Sequence, residues 1–345
     1  MSLYKLPAEW APQAATLLTW PHPATDWATS LVEVERVFLQ LAAAISQRQA
    51  LIVLCHNLFL MQRLQKMLPE HQVQMQRTYL IQIRNNDSWA RDHGPITVFN
   101  QAGEAVWLNF EFSGWGQKFE AKLDNQINGH LFGAGIIKAA ALESVDLVLE
   151  GGAIESDGNG ILLANESCFF DEKRNPSLKK SQLEQRLAEL FGIKKFLWLQ
   201  QPPLEGDDTD GHIDTLVRFT PTGALLYVSC DDANDVHFES LLQLKTQLAT
   251  FTDLDGKPYP LLPLPWPQAK YDSKGNRLPA SYANYLLING AVLMPTYQDA
   301  ADAQALAVIQ QAHPNEQVIG IDCLPLIRQG GSLHCVAMQL PRGVL

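Results

Sequence analysis

Cysteine is scarce in this sequence, and its spacing does not suit a structural role. The 345 residues contain five cysteines, an odd number, and no Cys-x-x-Cys pair. A disulfide framework and a zinc site built on thiolates are both disfavoured for that reason. Cys335 stands apart because it follows a glycine-containing segment. The other four lie among apolar residues and are interpreted as small core side chains: Cys55, Cys168, Cys230 and Cys323.

Basic residues are outnumbered by acidic ones. Lys and Arg total 26 against 37 Asp and Glu, for a formal net charge of −11. No basic run is longer than Lys179-Lys180 or Lys194-Lys195, so a phosphate backbone would meet no cationic patch. Nucleic acid is disfavoured as a partner. An acidic protein is mildly suited to a cationic substrate.

Long apolar runs are also missing. No stretch approaches the roughly eighteen apolar residues that a membrane span needs, although 46% of the residues are hydrophobic. The amino terminus has no basic segment followed by an apolar core, so no secretory signal is expected. We therefore expect a cytoplasmic protein with no membrane partner.

A recurring order of patterns organises the chain. A predicted hairpin is followed by a helix and a further strand, and this order recurs about every 60 residues. Such a unit cannot bury its apolar face alone, which favours one compact α/β domain over residues 1–345. The predicted strands include residues 50–55, 78–84, 105–112, 146–150, 161–164 and 212–219, the predicted helices include 57–68, 181–191 and 301–312, and the proline-rich stretch 258–267 is predicted as a loop.

Four segments combine glycine with residues that can carry chemistry, and each is predicted where a strand meets a turn. Glycine there allows close backbone approach to a ligand. His212 and Asp214, two apart on a predicted strand, are expected on the same face. The four segments are residues 89–95, with Asp92; 150–152, with Glu150; 206–214, with His212 and Asp214; and 330–335, with Cys335.

Together these residue types favour attack of a thiol on an electrophilic carbon. Several carboxylates around a thiol would oppose an oxyanion but suit a guanidinium, which pairs bidentately with carboxylates. Each part alone has a simpler interpretation. Arg91-Asp92 is typical of an ion pair and Glu150-Gly-Gly of a turn. A metal site at His212-x-Asp214 lacks a second pair of ligands at suitable spacing.

Several motifs in order resemble the agmatine deiminases and the bacterial-type peptidylarginine deiminases of the guanidine-modifying (pentein) superfamily. The resemblance runs over nearly the whole chain and implies a five-bladed α/β propeller of ββαβ units. The motifs are Leu6-Pro-Ala-Glu-Trp10, Leu18-Thr-Trp-Pro-His22, Asp87-Ser-Trp-Ala-Arg-Asp-His-Gly-Pro95, Leu149-Glu-Gly-Gly152, Thr209-Asp-Gly-His-Ile-Asp214, Ser281-Tyr-Ala-Asn-Tyr285 and His334-Cys335.

The resemblance also implies a role for each site residue. Cys335 matches the nucleophile and His212 the general acid and base, while Asp92 and Asp214 match the acids that grip the guanidinium. Glu150 matches the acid near the histidine and the substrate nitrogens. Agmatine would yield N-carbamoylputrescine and ammonia, a step of polyamine metabolism, through a thiouronium on the cysteine. No metal and no cofactor are implied. A bound cation is expected to lower the pKa of the thiol.

The nucleophile loop departs from the family pattern, with Gln329 and Ser332 in place of Gly and Asn, and Thr215 stands where Asn is common. Agmatine, free arginine and peptidyl arginine therefore stay open as substrates. An amidinotransferase, a non-catalytic guanidine-binding protein and a homo-oligomer stay open as well. The candidates for recognising the substrate tail, through rings against a butyl chain and an acid for a distal ammonium, are Trp89, Trp115 and Asp208.

Overall fold

The computed structural model describes residues 4–345 as a mixed α/β fold in which short strands alternate with helices. The strands are β1 (Tyr4–Lys5), β2 (Gln13–Thr19), β3 (Ala50–Cys55), β4 (Thr78–Gln82), β5 (Ile96–Asn100), β6 (Ala105–Glu111), β7 (Ala141–Val148), β8 (Ile154–Ser156), β9 (Ile161–Asn165), β10 (Lys195–Leu199), β11 (Val217–Phe219), β12 (Leu225–Val228), β13 (Leu261–Leu264), β14 (Lys270–Tyr271), β15 (Arg277–Leu278), β16 (Leu286–Ile288), β17 (Ala291–Thr296), β18 (Gln317–Asp322) and β19 (Ala337–Pro341).

The longer helices pack their apolar faces against these strands. They are α1 (Leu31–Ser46), α2 (Leu58–Glu70), α3 (Lys180–Phe191), α4 (Phe238–Leu248) and α5 (Asp302–Ala312). Helix α1 shows why: its buried residues Val34, Val37, Phe38 and Leu41 recur at the helical period and form one face. Shorter helical segments are Ala90–His93, Gly114–Gln117, Ile127–Gly133, Glu166–Phe169 and Leu324–Ile327.

Within residues 4–345, five sheets share one pattern of strand pairing, and a two-stranded ribbon of β14 and β15 stands apart from them. In each of the five, one strand pairs antiparallel with a neighbour and parallel with a strand that follows a helical segment. The central strands with their antiparallel and parallel partners are β2 with β19 and β3, β6 with β5 and β7, β9 with β8 and β10, β12 with β11 and β13, and β17 with β16 and β18.

One of these sheets joins the two ends of the chain. Strand β19 pairs antiparallel with β2, so that Ala337 lies opposite Leu18 and Leu340 opposite Ala15. This pairing carries the segment before β19, with Cys335, from the end of the sequence to the middle of the molecule. No helix among residues 4–345 combines the length and the apolar character needed to cross a membrane.

The structure corrects three of the local predictions. The strand before the turn at residues 157–160 is β8, not 146–150, because residues 141–148 form β7 and pair with β6. The predicted strand 212–219 begins only at Val217, and the turn Ile213–Thr215 precedes it. The predicted loop 258–267 contains β13, an edge strand in which Pro263 is tolerated.

Candidate active site

The five residues predicted to carry chemistry come from four distant parts of the chain and are at most 4% exposed. Asp92 lies in the short helix before β5, and Glu150 is the second residue after β7. His212 and Asp214 lie at the turn before β11 rather than on a strand, so the same-face argument for them is wrong. Cys335 is the second residue before β19. All five thus stand where a strand begins or ends.

His212 lies between two carboxylates. Its Nδ1 is 3.7 Å from Oδ1 of Asp92, and its Nε2 is 3.8 Å from Oε2 of Glu150. Burial disfavours the imidazolium, but the Asp92 carboxylate holds the pKa of His212 well above its ordinary value, with help from Glu150. Burial also raises the pKa of Asp92. Asp92 and His212 therefore titrate as a coupled pair rather than independently. His212 is therefore placed to donate a proton at neutral pH.

Glu150 is held by a buried arginine that the sequence did not single out. Arg174 donates from Nε to both Glu150 oxygens at 3.0 Å, and from Nη1 to Asp210 at 2.8 Å. Burial acts to raise the pKa of Glu150, but the contacts with His212 and Arg174 hold it below its ordinary value. Glu150 is thus a fixed carboxylate facing His212.

Asp214 is oriented by the residue before the predicted nucleophile. Its Oδ2 is 2.7 Å from Nδ1 of His334, and Nε2 of His334 is 2.8 Å from Oε2 of Glu9. Burial acts to raise the pKa of Asp214, yet His334 holds it below its ordinary value. His334 therefore bridges Asp214 to a second buried acid from the start of the chain.

The Cys335 thiol faces Asp214 and the side-chain oxygen of Asn284. Its Sγ is 3.9 Å from Oδ2 of Asp214 and 3.4 Å from Oδ1 of Asn284. Burial, Asp214 and Asp92 raise the pKa of this thiol well above its ordinary value. A cation placed between the thiol and these acids would offset their charge, so the predicted lowering of the thiol pKa depends on the ligand.

Glycine at position 152 leaves the space in which these side chains meet. A Cβ there would lie 2.5 Å from Nδ1 of His212, 3.0 Å from Oδ1 of Asp92 and 3.1 Å from Oδ2 of Asp214. The Gly152 amide donates to Oδ1 of Asp92 at 3.1 Å. The backbone of Gly152, rather than a side chain, therefore forms one wall of the site.

A pocket of about 460 Å³ leads to Cys335 and Asp92. The tail candidates Trp89, Trp115 and Asp208 all line it. Its lining also includes two aspartates, Asp26 and Asp87, to which the sequence analysis gave no role. Burial, reinforced by Asp26, raises the pKa of Asp87 to about 6. The pocket is therefore acidic from its mouth to the thiol.

The two tryptophans differ in what they contact. Trp115 donates from Nε1 to Oδ2 of Asp92 at 2.9 Å, so it orients an acid as well as lining the pocket. Its φ of 55° is left-handed, which is unusual for a tryptophan and holds its ring in this position. Trp89 packs against Trp27 and lies so close to Gly331 that a Cβ there would be 2.3 Å from the ring.

The three positions that depart from the family pattern differ in whether they line the pocket. Gln329 lines the pocket and donates from Nε2 to the Asp26 carbonyl at 3.0 Å. Ser332 is buried, and its Oγ accepts from the Tyr297 hydroxyl at 3.2 Å. Thr215 donates from its hydroxyl to the His212 carbonyl at 2.9 Å. Only Gln329 is placed to contact a substrate tail.

Residues 5–341 match the family model of the Porphyromonas-type peptidyl-arginine deiminases. The chain belongs to this family. A Porphyromonas gingivalis structure provisionally named arginine deiminase is 45% identical, with 99% of both chains covered and a TM-score of 0.92. A cysteine-to-serine variant of C. jejuni agmatine deiminase with substrate bound is 33% identical, covers 99% of this chain and 97% of that one, and has a TM-score of 0.91. A provisionally named agmatine deiminase of Vibrio parahaemolyticus is 31% identical over 98% of this chain and 97% of its own.

The family's fold extends to more distant proteins. An amidinotransferase from Microseira wollei is 11% identical with a TM-score of 0.54, over 98% of this deiminase-family chain and 97% of that one. At this identity the likeness concerns the fold alone. It agrees with the mixed α/β fold that the strands and helices of this chain form.

Proposed function

We propose that this protein hydrolyses agmatine to N-carbamoylputrescine and ammonia. The observation that carries the proposal is the acidic pocket that ends at Cys335. Four aspartates line it, Asp26, Asp87, Asp92 and Asp208, and its lining among residues 4–345 includes no Lys and no Arg. Agmatine carries a cation at each end, so both of its ends suit such a pocket.

The same pocket disfavours free arginine. The α-carboxylate of arginine would lie among these aspartates without a cationic partner, and an unpaired charge in a site shielded from water is costly. Agmatine has no carboxylate, and relatives named agmatine deiminase match this chain over nearly its full length. Both observations favour agmatine over arginine.

We assign the chemical steps to the five predicted residues. Asp92 and Asp214 hold the guanidinium by charge, and its positive charge promotes ionisation of the Cys335 thiol. The thiolate attacks the guanidino carbon. His212 then gives its proton to the departing nitrogen, ammonia leaves, and a thiouronium remains on the sulfur.

Water completes the reaction. His212, now neutral, removes a proton from a water molecule, which attacks the thiouronium carbon. Collapse breaks the C–S bond and restores the Cys335 thiolate, and the remaining proton of the attacking water leaves to solvent as the ureido product is released. One water is consumed and one ammonia released per turnover. Glu150, fixed by Arg174, stabilises the charged form of His212 in both steps.

We further propose that the five sheets are the blades of a propeller with a pseudo-fivefold axis, in a single domain. Support comes from the pairing pattern that the five sheets share and from the TM-scores with the family's solved structures. In this arrangement the turns that carry the site residues meet near the axis. The site would then be complete only when the sheets from all parts of the chain have assembled.

A substrate panel tests the proposed function. Agmatine, arginine and a short arginine peptide are compared by formation of ureido product and by ammonia release, with and without a primary amine as acceptor. We expect turnover of agmatine at the highest kcat/KM, with ammonia release that does not depend on the acceptor. Transfer of the amidino group to the amine without ammonia would show an amidinotransferase. No turnover of any guanidino compound would refute catalysis.

A further inference from the structure

A second thiol, that of Cys168, lies beside His212 and Glu150. Cys168, interpreted from the sequence as a core residue, is indeed buried, but its Sγ is 3.8 Å from Oε2 of Glu150. One ligand-type atom from each of Cys168, Glu150 and His212 lies within 4.8 Å of the others. None of the steps assigned above uses this thiol.

We propose that Cys168, Glu150 and His212 form an inhibitory site for a thiophilic divalent cation such as Zn²⁺. Zinc at ordinary bond lengths places tetrahedral sulfur, nitrogen and oxygen ligands about 3.4–3.6 Å apart. The Cys168–Glu150 and Glu150–His212 separations, both 3.8 Å, approach that spacing. These two separations need to close by only a few tenths of an ångström, the Cys168–His212 separation lies within 4.8 Å, and a water would complete four-fold coordination.

The histidine supplies independent support. Among the described residues 4–345, neither ring nitrogen of His212 has a hydrogen-bond partner, although its side chain is fully buried. Its Nε2 faces the Glu150 carboxylate, as a metal ligand would, and its Nδ1 faces Asp92. A carboxylate behind a ligating imidazole is the usual outer shell of a zinc histidine.

The charges around the cluster are compatible with a cation. Arg174, which orients the Glu150 carboxylate, is the opposing positive charge. It is itself paired with Asp210 at 2.8 Å and lies 3.8 Å from Asp171. Asp92 adds a carboxylate beyond His212. Coordination needs a thiolate and a neutral imidazole, so the protons carried by Cys168 and His212 leave to solvent.

The consequence for catalysis rests on the proposed function. An ion on Nε2 holds the His212 ring in its neutral form, so the imidazolium proton that the departing nitrogen needs is missing, and the ion draws Glu150 away from the ring. Turnover should stop while the ion is bound and resume after chelation. The Cys335 thiol keeps its own contacts and need not take part.

Cobalt binding tests the site without any need for turnover. Co²⁺ is titrated into the Cys335→Ala variant, which removes the other active-site thiol, and a near-ultraviolet sulfur-to-cobalt charge-transfer band is recorded. We expect one equivalent of Co²⁺ to develop the band. Adding Cys168→Ala should abolish it, while adding Cys55→Ala, at another buried cysteine, should leave it intact. If the Cys168→Ala chain does not fold, Cys168→Ser replaces it with the same expectation.

Zinc inhibition of the otherwise unaltered enzyme is measured in parallel, with each variant compared to its own metal-free rate. We expect EDTA to reverse the inhibition, and Cys168→Ala to weaken it by about tenfold or more, whereas Cys55→Ala does not. If the charge-transfer band survives the loss of Cys168, or if no band appears, the metal site is refuted. The proposed hydrolysis of agmatine is not affected by either result. A band that depends on Cys168 in a protein without guanidino turnover supports the metal site and refutes the proposed function alone.

Discussion

Asp92 and Asp214, which we propose to hold the same guanidinium, differ in the hydrogen bonds that an asparagine in their place could keep. Oδ2 of Asp214 accepts from His334, while its Oδ1 is buried without a partner among residues 4–345. An asparagine there can keep the contact with His334. Both oxygens of Asp92 accept hydrogen bonds, from Gly152 and Trp115. An asparagine at position 92 must turn its NH₂ toward one of these donors.

We therefore expect both Asn variants to lose kcat/KM for agmatine by about two orders of magnitude, because a charge-assisted contact is worth about 1.5–3 kcal/mol and the attacked carbon must stay aligned. Asp92→Asn should lower the melting temperature more than Asp214→Asn, since it breaks one of two existing hydrogen bonds whereas Asp214→Asn keeps the contact with His334. Steady-state kinetics and thermal unfolding of both variants measure this. Kinetics near those of the parent in either variant would remove that aspartate from the site.

The ligand-free thiol should be slow to alkylate. Burial and the two aspartates raise the pKa of Cys335 well above its ordinary value, so thiolate is the minor form at neutral pH. Without substrate, the rate of carboxamidomethylation of Cys335 by iodoacetamide should still rise through pH about 9, beyond the usual cysteine pKa of about 8.5. Peptide mapping follows the rate at this residue.

Two variants complete that experiment. Cys335→Ala should show no turnover, while Cys55→Ala, a buried cysteine elsewhere in the core, should retain it. An alkylation rate that levels off below pH 7, or inactivation that maps to another cysteine, would contradict the assignment of Cys335.

The sequence could single out the five candidate residues that the fold brings together, because acids, a histidine and a cysteine beside glycines are rare together and recur in motif order. It could not identify the residues that orient them. Arg174 reaches Glu150, and His334 reaches Asp214, only through the tertiary fold. Cys168 was interpreted as core because apolar neighbours in sequence do not reveal a polar neighbour in space. Trp115 was assigned to the substrate tail, whereas its indole nitrogen also binds Asp92.

At the scale of elements, a reciprocal pair of side chains fixes the segment that carries Trp89 and Asp92. Oδ1 of Asp124 accepts from the Asn86 amide at 2.7 Å, and Oδ1 of Asn86 accepts from the Leu123 amide at 2.7 Å. Burial raises the pKa of Asp124 to about 7. The folded state thus favours protonated Asp124, and the stability this contributes is lost as the pH rises through about 7.

Asp124→Asn should therefore resemble the parent near pH 5 and melt at a higher temperature than the parent at pH 8. The amide oxygen keeps the contacts with the backbone amides of Asn86 and Asp87, and the variant carries no charge to desolvate. Thermal unfolding at both pH values measures the difference. Asp146→Asn, the same change at an exposed position, is the matched control and should show no such pH dependence. A variant that is destabilised equally at both values would refute the charge argument.

The boundaries of helices and strands were predictable where the apolar periodicity stops at a residue that ends an element, such as glycine. The strand 50–55 was predicted correctly, and the predicted end of α3 holds because Gly192 adopts a φ of 71°. The hairpin before the turn at 157–160 was assigned the wrong first strand, since β7 and β8 both mix apolar with acidic residues, and only their pairing with β6 and β9 separates them. Proline suggested a loop at 258–267, but an edge position removes its penalty in β13.

For the whole molecule, the recurrent order of hairpin, helix and strand was visible in the sequence, but the pairing of the two chain ends was not. Strand β19 lies beside β2 because both bury their residues between the same layers, a contact that no local pattern encodes. The site depends on it, since Cys335 and Asp214 are 121 positions apart and meet only when the chain ends pair.

Arg218 ties together segments from the start, the middle and the end of the fold. It is fully buried and contacts the carboxylates of Glu9 and Glu155, the latter at 3.0 Å from its Nε. Its Nη1 donates to the carbonyl of Tyr285 at 2.8 Å, and its guanidinium lies 4.5 Å from that residue's ring centre. Through Glu9 it also reaches His334, the neighbour of the predicted nucleophile.

Removing this one charge should destabilise the whole fold, because Glu9 and Glu155 would stay buried without their partner. We expect Arg218→Met to cost about 3–5 kcal/mol of unfolding free energy, measured by urea denaturation. Adding Glu155→Gln should recover part of that loss, since it removes one of the stranded charges. The exposed ion pair of Lys257 with Asp255 is the control, and Lys257→Met should leave the unfolding free energy near that of the parent. If Arg218→Met costs no more than this control, or if Glu155→Gln adds to its loss, the buried charges are not what joins the segments.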